Sequence, residues 1–339
     1  MKIFDSSLRV LVTGGAGFIG SHLVDHLVQR GCQVVVLDNF RNGKRENLAP
    51  ALATGRVEII AGDITDPTAC AQAMRGVAAV FHLACLGVRH SLHSPRENHE
   101  VNALGTLLLL QAARQAGVAR FLYMSTSEVY GRARAFPLTE QTATWPTTVY
   151  SASKLAGEHY ASVFAEQHGL PVVRVRPFNN YGSRAHSQGD SGEVIPRFIL
   201  RALAGLPPVV FGNGGNTRDF LFVEDCADAL VQIAECDALV GDLVNLGYGE
   251  ETRIDALARL VLAAVDRPDL DVVFAEERPC DVPRLWVDST KLRNTIAWRP
   301  ETPLARGLTK TVEHYRALSA ADPGAFAQFQ IRNWEAAKA

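Results

Sequence analysis

The sequence predicts an α/β fold, a doubly wound parallel sheet with a smaller C-terminal α/β substrate-binding lobe. Three observations predict it. Short apolar runs alternate with stretches of helical apolar spacing through the first half of the chain. The first run feeds directly into a turn with glycines at 14, 17 and 20, and the turn opens a helical pattern. The second run ends in an acid, Asp38. The last two features together describe a Rossmann-like, dinucleotide-binding start.

Residues 8–12 read as the first strand, and T-G-G-A-G-F-I-G follows at 13–20. Gly14, Gly17 and Gly20 serve the tight turn, close backbone approach to a pyrophosphate, and helix–strand packing. The helix over 21–29 then turns its N-terminus, beside Phe18 and Ile19, toward the phosphates. A strand over 33–37 ends in Asp38-Asn39. A carboxylate there accepts from both adenosine ribose hydroxyls and repels a 2′-phosphate, which favours NAD, although Arg41 and Lys44 leave room for NADP. A strand over 56–61 places Asp63 and Ile64 at its carboxyl end, where an adenine edge is held. A helix over 67–74, a strand over 78–83, a long helix over 95–117 and a strand over 119–124 continue the alternation. Ligands of such sheets bind at the carboxyl ends of the strands, where every one of these motifs lies.

S-T-S-E-V-Y-G at 125–131 puts hydroxyls and one carboxylate, Glu128, on that rim. Tyr150 and Lys154 lie four positions apart, on one face of a helix over 148–168. An ammonium beside a phenol favours the phenolate, bringing a group that ordinarily titrates near pH ~10 into acid–base use. A strand over 171–176 leads to P-F-N-N-Y-G at 177–182. The pattern then changes to a polar loop over 183–192, read as mobile, a helix over 194–203, a short strand over 207–211 and a glycine turn before Arg218. The tail reads as a helix over 302–318 and a second, short one ending at 339. Residues 1–182 form the dinucleotide domain and 183–339 mainly the substrate lobe, with segments near 218–247 returning to the first domain.

With 339 residues, 47% of them hydrophobic, the chain builds one large or two modest cores. A net charge of -2 argues against nucleic acid. The six cysteines show no C-x-x-C pair or His/Cys cluster, so no metal site or disulfide framework is expected, and they read as reduced, mostly buried thiols of a cytoplasmic protein. The N-terminus carries no signal-peptide pattern, and the longest apolar run, 104–113, is too short to span a membrane.

The ordered set T-G-G-A-G-F-I-G, D-N at 38–39, G-D-I at 62–64, H-L-A at 82–84, S-T-S-E-V-Y-G, Y-S-A-S-K at 150–154, R-P-F-N-N-Y-G at 176–182 and T-R-D-F-L-F-V-E-D at 217–225 resembles the extended short-chain dehydrogenase/reductase family, specifically its NAD-dependent nucleotide-sugar epimerases and dehydratases. The resemblance covers essentially the whole chain. It implies that Tyr150 takes the proton of a sugar C4 hydroxyl as hydride leaves C4 for NAD, and that Lys154 lowers the phenol's pKa and holds the nicotinamide ribose. Thr126 then hydrogen-bonds the C4 oxygen, with Ser127 and Glu128 beside it. Asp63 and Ile64 hold adenine, and Leu83, Ala84, Ser125 and Pro177 line the cofactor channel. On the substrate side it implies Asn179, backbone amides near Val194, Arg218 on the pyrophosphate, and Arg278 with Asp281 on phosphate and nucleoside. Cys280 stands where that last motif usually has glycine, and Arg284 is a further candidate.

The resemblance implies a 4-keto sugar and leaves its fate open. Thr126-Ser127-Glu128 is similar to GDP-mannose dehydratases and UDP-glucuronate decarboxylases, whereas Ser127 departs from the Asp of dTDP-glucose dehydratases. The stretch G-V-R-H-S at 87–91 instead resembles UDP-glucuronate 4-epimerases, where Arg89 meets a sugar carboxylate or a phosphate. Dehydration or decarboxylation leads, with 4-epimerisation as the alternative. A non-catalytic NAD-binding sensor or scaffold is a third reading, against which the intact Tyr150–Lys154 pair argues. A homodimer through the helices over 95–117 and 148–168 is expected.

Overall fold

The structure, a computed structural model, describes residues 8–322 and 331–334. The first six strands are β1 (Arg9–Thr13), β2 (Gln33–Asp38), β3 (Val57–Ala61), β4 (Ala79–His82), β5 (Arg120–Met124) and β6 (Val172–Pro177). All their pairings are parallel. A parallel sheet is covered on both faces, so its strands are apolar on both sides. Val10, Val12, Val34 and Val36 pack with Leu23 and Leu27 on one face, while Leu11, Val35, Leu37 and Phe121 pack with Leu109 and Ala161 on the other. The register sets Thr13 opposite both Leu37 and His82, so the residues that follow each strand emerge at one edge.

The helix Phe18–Gln29 starts three residues earlier than its apolar spacing suggests, because Gly17, in extended conformation, is its N-cap and no side chain caps it. The long helix expected over 95–117 is Pro95–His99 and Gly105–Ala116 joined by a π-turn at Glu100–Leu104, and it ends at Gly117 with φ 66°. Within that stretch the Asn102 side chain both accepts from Leu86 N–H (2.8 Å) and donates to Leu86 C=O (2.9 Å), tying the helix to the loop after β4. The helix Val149–His168 is opened by a reciprocal cap in which Thr148 and Ser151 satisfy each other's backbone N–H.

Beyond β6 come β7 (Asn179–Tyr181), β8 (Val209–Phe211) and β9 (Thr217–Phe222). The helix Val223–Glu235 then packs back on Phe18–Gln29, and β10 (Leu243–Leu246) adds to the main sheet beside β6. The seven-stranded order is β10-β6-β5-β4-β1-β2-β3. The chain leaves again through β11 (Glu251–Arg253), β12 (Val273–Ala275) and β13 (Arg284–Leu285). A small sheet of β7, β9, β11 and β13 and the pair β8–β12 make the second lobe. Its core gathers Phe198, Phe220, Leu257, Val261 and Tyr315 under helices Val194–Leu203, Ile254–Val265 and Leu304–Ala321.

The helix expected over 302–318 runs from 304 to 321 because Pro303 precedes its first turn. The end of the short helix expected to finish at 339 falls on residues outside those described. Of the cysteines, all free, Cys32, Cys70 and Cys226 are buried, whereas Cys85 and Cys280 are exposed. That corrects the expectation of mostly buried thiols, since both exposed ones sit on loops at the cleft. Among the described residues no helix is long and apolar enough to cross a membrane.

Candidate active site

The carboxyl edge of the sheet and the second lobe enclose a cleft of about 680 Å³. Its floor is the glycine turn. Gly14 has φ 69°, and a Cβ there would lie 2.8 Å from the backbone of Ala84. A Cβ on Gly20 would collide with the Gly14 carbonyl. The turn is therefore open only to a backbone without side chains, and it points the uncapped N-terminus of Phe18–Gln29 into the cleft. Both oxygens of Asp38 accept backbone hydrogen bonds, from Ala16 (2.9 Å) and Phe40 (2.8 Å), which fixes the carboxylate at the cleft wall. Burial raises its pKa, and these two bonds oppose the rise. Asn39 donates to Asp63 at 2.7 Å, and Thr65 holds the other Asp63 oxygen. Ile64, Leu83, Ala84 and Pro177 complete this wall. Arg41, a residue that could meet a 2′-phosphate, is engaged by both oxygens of Glu97.

The reacting end lies where β5 meets the helix Val149–His168. Thr126 is the N-cap of the turn Ser127–Tyr130 and accepts from Glu128 N–H at 3.2 Å. Its hydroxyl also hydrogen-bonds the half-buried Tyr150 phenol. Lys154 is 2% exposed, with its ammonium 4.6 Å from the Tyr123 ring centre. Burial lowers its pKa, opposed by Cys85 and Glu158. The Tyr150 phenol is pushed up, not down, chiefly by burial, then by Cys85, Glu128 and Glu193, against the Thr126 hydrogen bond. The lysine shares the helix face but turns its charge toward Tyr123. Ser125 donates to Glu158, itself bound by both arms of Arg176 at 2.8 and 2.6 Å, so the serine braces the cleft floor from behind.

Glu128 lines the cleft, and burial raises its pKa, offset by Arg218 and Arg89 and reinforced by Asp281. A second carboxyl, Glu193, faces the same space and is raised by burial, with Arg89 opposing. Sequence reasoning passed over it. The one available signal was an acid immediately before the helix Val194–Leu203, in a region read only for its backbone amides. The loop over 183–192 is tied down, not loose: Arg89 donates to Asp190 C=O (2.6 Å), and Asn333 donates to Gly189 and Gly192 C=O.

At the far end Arg218, 8% exposed, donates to Asp281 at 2.8 Å, and Asn216 holds the other Asp281 oxygen. The Arg278 guanidinium lies over Phe211 at 4.6 Å and beside Trp334 at 5.7 Å, and its buried Nε has no partner. Burial and then Arg89 push its pKa down to about 10. Asn179 also turns a buried, unpartnered oxygen toward the cleft. Phe211 and Trp334 were not anticipated. Arg284 is the one candidate the structure leaves outside the cleft: it pairs with Glu251 through two bonds, at 2.5 and 2.7 Å, because β13 runs along β9 with that side chain on the outer face.

A glycine-floored dinucleotide cleft with a tyrosine and a lysine on one helix at its reacting end defines an NAD-binding α/β enzyme. The chain belongs to the NAD dependent epimerase/dehydratase family, which matches residues 10–247. It is 38% identical over 320 residues to UDP-glucose 4-epimerase of Mycolicibacterium smegmatis, covering 92% of this chain and 100% of that protein. It is 35% identical over 317 residues to UDP-glucuronic acid decarboxylase 1 of Arabidopsis thaliana, covering 91% of this chain and 70% of that one. Among solved structures, the dTDP-glucose 4,6-dehydratase of Streptomyces venezuelae with NAD bound superposes with a TM-score of 0.88 at 33% identity, over 93% of this chain and 99% of that one. The cofactor is NAD.

Proposed function

We propose that the chain dehydrates a nucleoside-diphosphate hexose through a transient 4-keto sugar, the C6 hydroxyl leaving as water. The observation that carries this reading is Glu128, a cleft carboxyl close enough to Tyr150 to raise its pKa and itself held above the ordinary carboxylate range by burial. Elimination needs a base at C5, and a raised pKa makes a carboxylate a stronger one. Bound NAD accepts the hydride from C4 and later returns it. Every proton is moved by the chain. Tyr150 takes the C4 hydroxyl proton while Thr126 donates to the same oxygen. The ketone acidifies C5, and Glu128 removes that proton. Glu193, a second cleft carboxyl whose pKa burial raises, is placed to give a proton to the departing C6 hydroxyl. Arg218, Asp281, Asn179 and the Val194 end of its helix hold the diphosphate and nucleoside.

The cleft acids favour dehydration over decarboxylation, since a uronate placed beside the Glu128 carboxylate is repelled by it. The second reading is 4-epimerisation, supported by the full-length similarity to a UDP-glucose 4-epimerase. In solution the protein is a homodimer in this reading: Leu104 (43% exposed) and Val163 (50%) offer apolar surface on the two helices that pair in related four-helix interfaces. A panel of UDP-, GDP-, CDP- and dTDP-sugars read by mass spectrometry tests the reaction. Loss of water supports dehydration. Loss of carbon dioxide, or an epimer of unchanged mass found by NMR, replaces it with one of the other outcomes.

A further inference from the structure

The cleft rim carries a side-chain cluster that none of the steps above uses. His90 and His93, one helical turn apart after β4, meet Asp190 of the loop over 183–192, and one ligand atom from each lies within 4.8 Å of the other two. His93 Nε2 is 3.0 Å from Asp190 Oδ2, and its Nδ1 is 3.0 Å from the Ser94 hydroxyl. His90 is 5% exposed. Its Nε2 lies 3.1 Å from Glu97 Oε2 and 3.3 Å from the Arg41 guanidinium, while its Nδ1 is buried with no hydrogen-bond partner. With the Nε2 N–H given to Glu97, the lone pair is left on Nδ1, as in a metal-binding imidazole whose other nitrogen is held by a carboxylate.

We propose that His90, His93 and Asp190 bind a divalent transition metal, Zn²⁺ being the best match, that pins the 183–192 loop to the rim of the cleft. Two imidazoles and a carboxylate are a borderline donor set that suits zinc and leaves a fourth position for water. Tetrahedral zinc spaces nitrogen and oxygen ligands by about 3.3 Å, so the histidine–aspartate pair already fits and the remaining ligand closes by a side-chain movement. Nearly a hundred residues separate Asp190 from the histidines, which is why spacing along the chain gave no metal signal. Because the same loop leads into Glu193, metal binding orders one wall of the reacting end.

Zn²⁺ is the probe, titrated into the full chain with NAD present against a chromophoric chelator. One equivalent is expected, with binding weakened at least tenfold in His93→Ala and in Asp190→Ala, and about tenfold in Glu97→Gln through loss of the outer hydrogen bond. Co²⁺ gives tetrahedral absorption without a thiolate charge-transfer band, which separates this site from the exposed Cys85 and Cys280. Amide exchange over 183–192 slows on adding Zn²⁺ to the wild-type chain and not to His93→Ala. Equal Zn²⁺ affinity in wild type and His93→Ala, a thiolate band, or no stoichiometric binding overturns the proposal.

Discussion

Replacing Glu158 with Gln strands a positive charge where water does not reach. Glu158 and Arg176 are 3% and 5% exposed, and the carboxylate takes both arms of the guanidinium. Arg176 also lies 4.7 Å from the centre of the Tyr130 ring. Burial lowers its pKa, but the hydrogen bonds and charge of Glu158 outweigh that and hold it above its ordinary value, so it stays charged at every working pH. Removing one partner of a buried pair costs about 3–5 kcal/mol. The glutamine keeps one acceptor oxygen, which places the cost near the lower end, about 3 kcal/mol. For an m-value of roughly 3 kcal/mol/M, the urea midpoint falls by on the order of 1 M. Replacing both residues by Met removes the stranded charge and leaves chiefly the Ser125 hydroxyl without its acceptor, about 1 kcal/mol. Urea unfolding followed by circular dichroism measures all three chains. The reasoning is refuted if Glu158→Gln moves the midpoint by less than about 0.3 M, or if the double variant is as unstable as the single one. The pair joins β6 to the helix bearing Tyr150 and Lys154, so NAD affinity drops along with stability.

Tyr150→Phe abolishes turnover while NAD stays bound, read by product assay and cofactor titration; near-normal turnover removes the phenol as the base. Gly20→Ala loses NAD, because the new methyl group meets the Gly14 carbonyl inside the turn; equilibrium dialysis shows it. Glu128 has a folded pKa raised above its ordinary 4.5. Its carboxyl therefore favours the folded state below that ordinary value and loses the contribution as pH rises through the folded one. Glu128→Gln is thus at least as stable as wild type at pH ~8. In kinetics the same substitution removes the rise of dehydration rate with pH that starts above 4.5, and an unaffected product rate favours epimerisation instead. Val163→Asp puts a charge at the exposed Val163 position and is expected to convert the proposed dimer to monomer, read by light scattering; a wild type already monomeric contradicts the interface.

Which parts of this molecule were legible in the chain follows from how far apart their causes lie. Strands buried on both faces announce themselves as apolar runs, and a turn that admits only glycine at 14 and 20 is written in the glycine spacing. Both signals are local. Glu193, Trp334 and the His93–Asp190 contact arise from the path by which the second lobe folds back, so no short window contains them. Arg284 failed for a related reason: a motif gives a residue's position but not the face of the strand it takes, and here that face belongs to Glu251.

The phenol teaches a sharper lesson. Spacing placed Lys154 on the Tyr150 face, and the helix forms as expected, yet the ammonium settles over Tyr123 and the phenol is left near the half-buried carboxyls of Glu128 and Glu193. An acid in that setting resists ionisation until a positive charge arrives, and oxidised NAD carries one on its nicotinamide ring. Proton removal from the sugar is then expected to be easier with oxidised cofactor bound than with the reduced form. A tyrosine already ionised in the free chain would lack that control. Ultraviolet difference titration distinguishes the two: with NAD⁺ bound the Tyr150 phenolate signal appears at lower pH than in the free protein, and with NADH it does not. Equal midpoints in the free and NAD⁺-bound states would mean that Lys154 alone, and not the cofactor, sets the phenol's acidity.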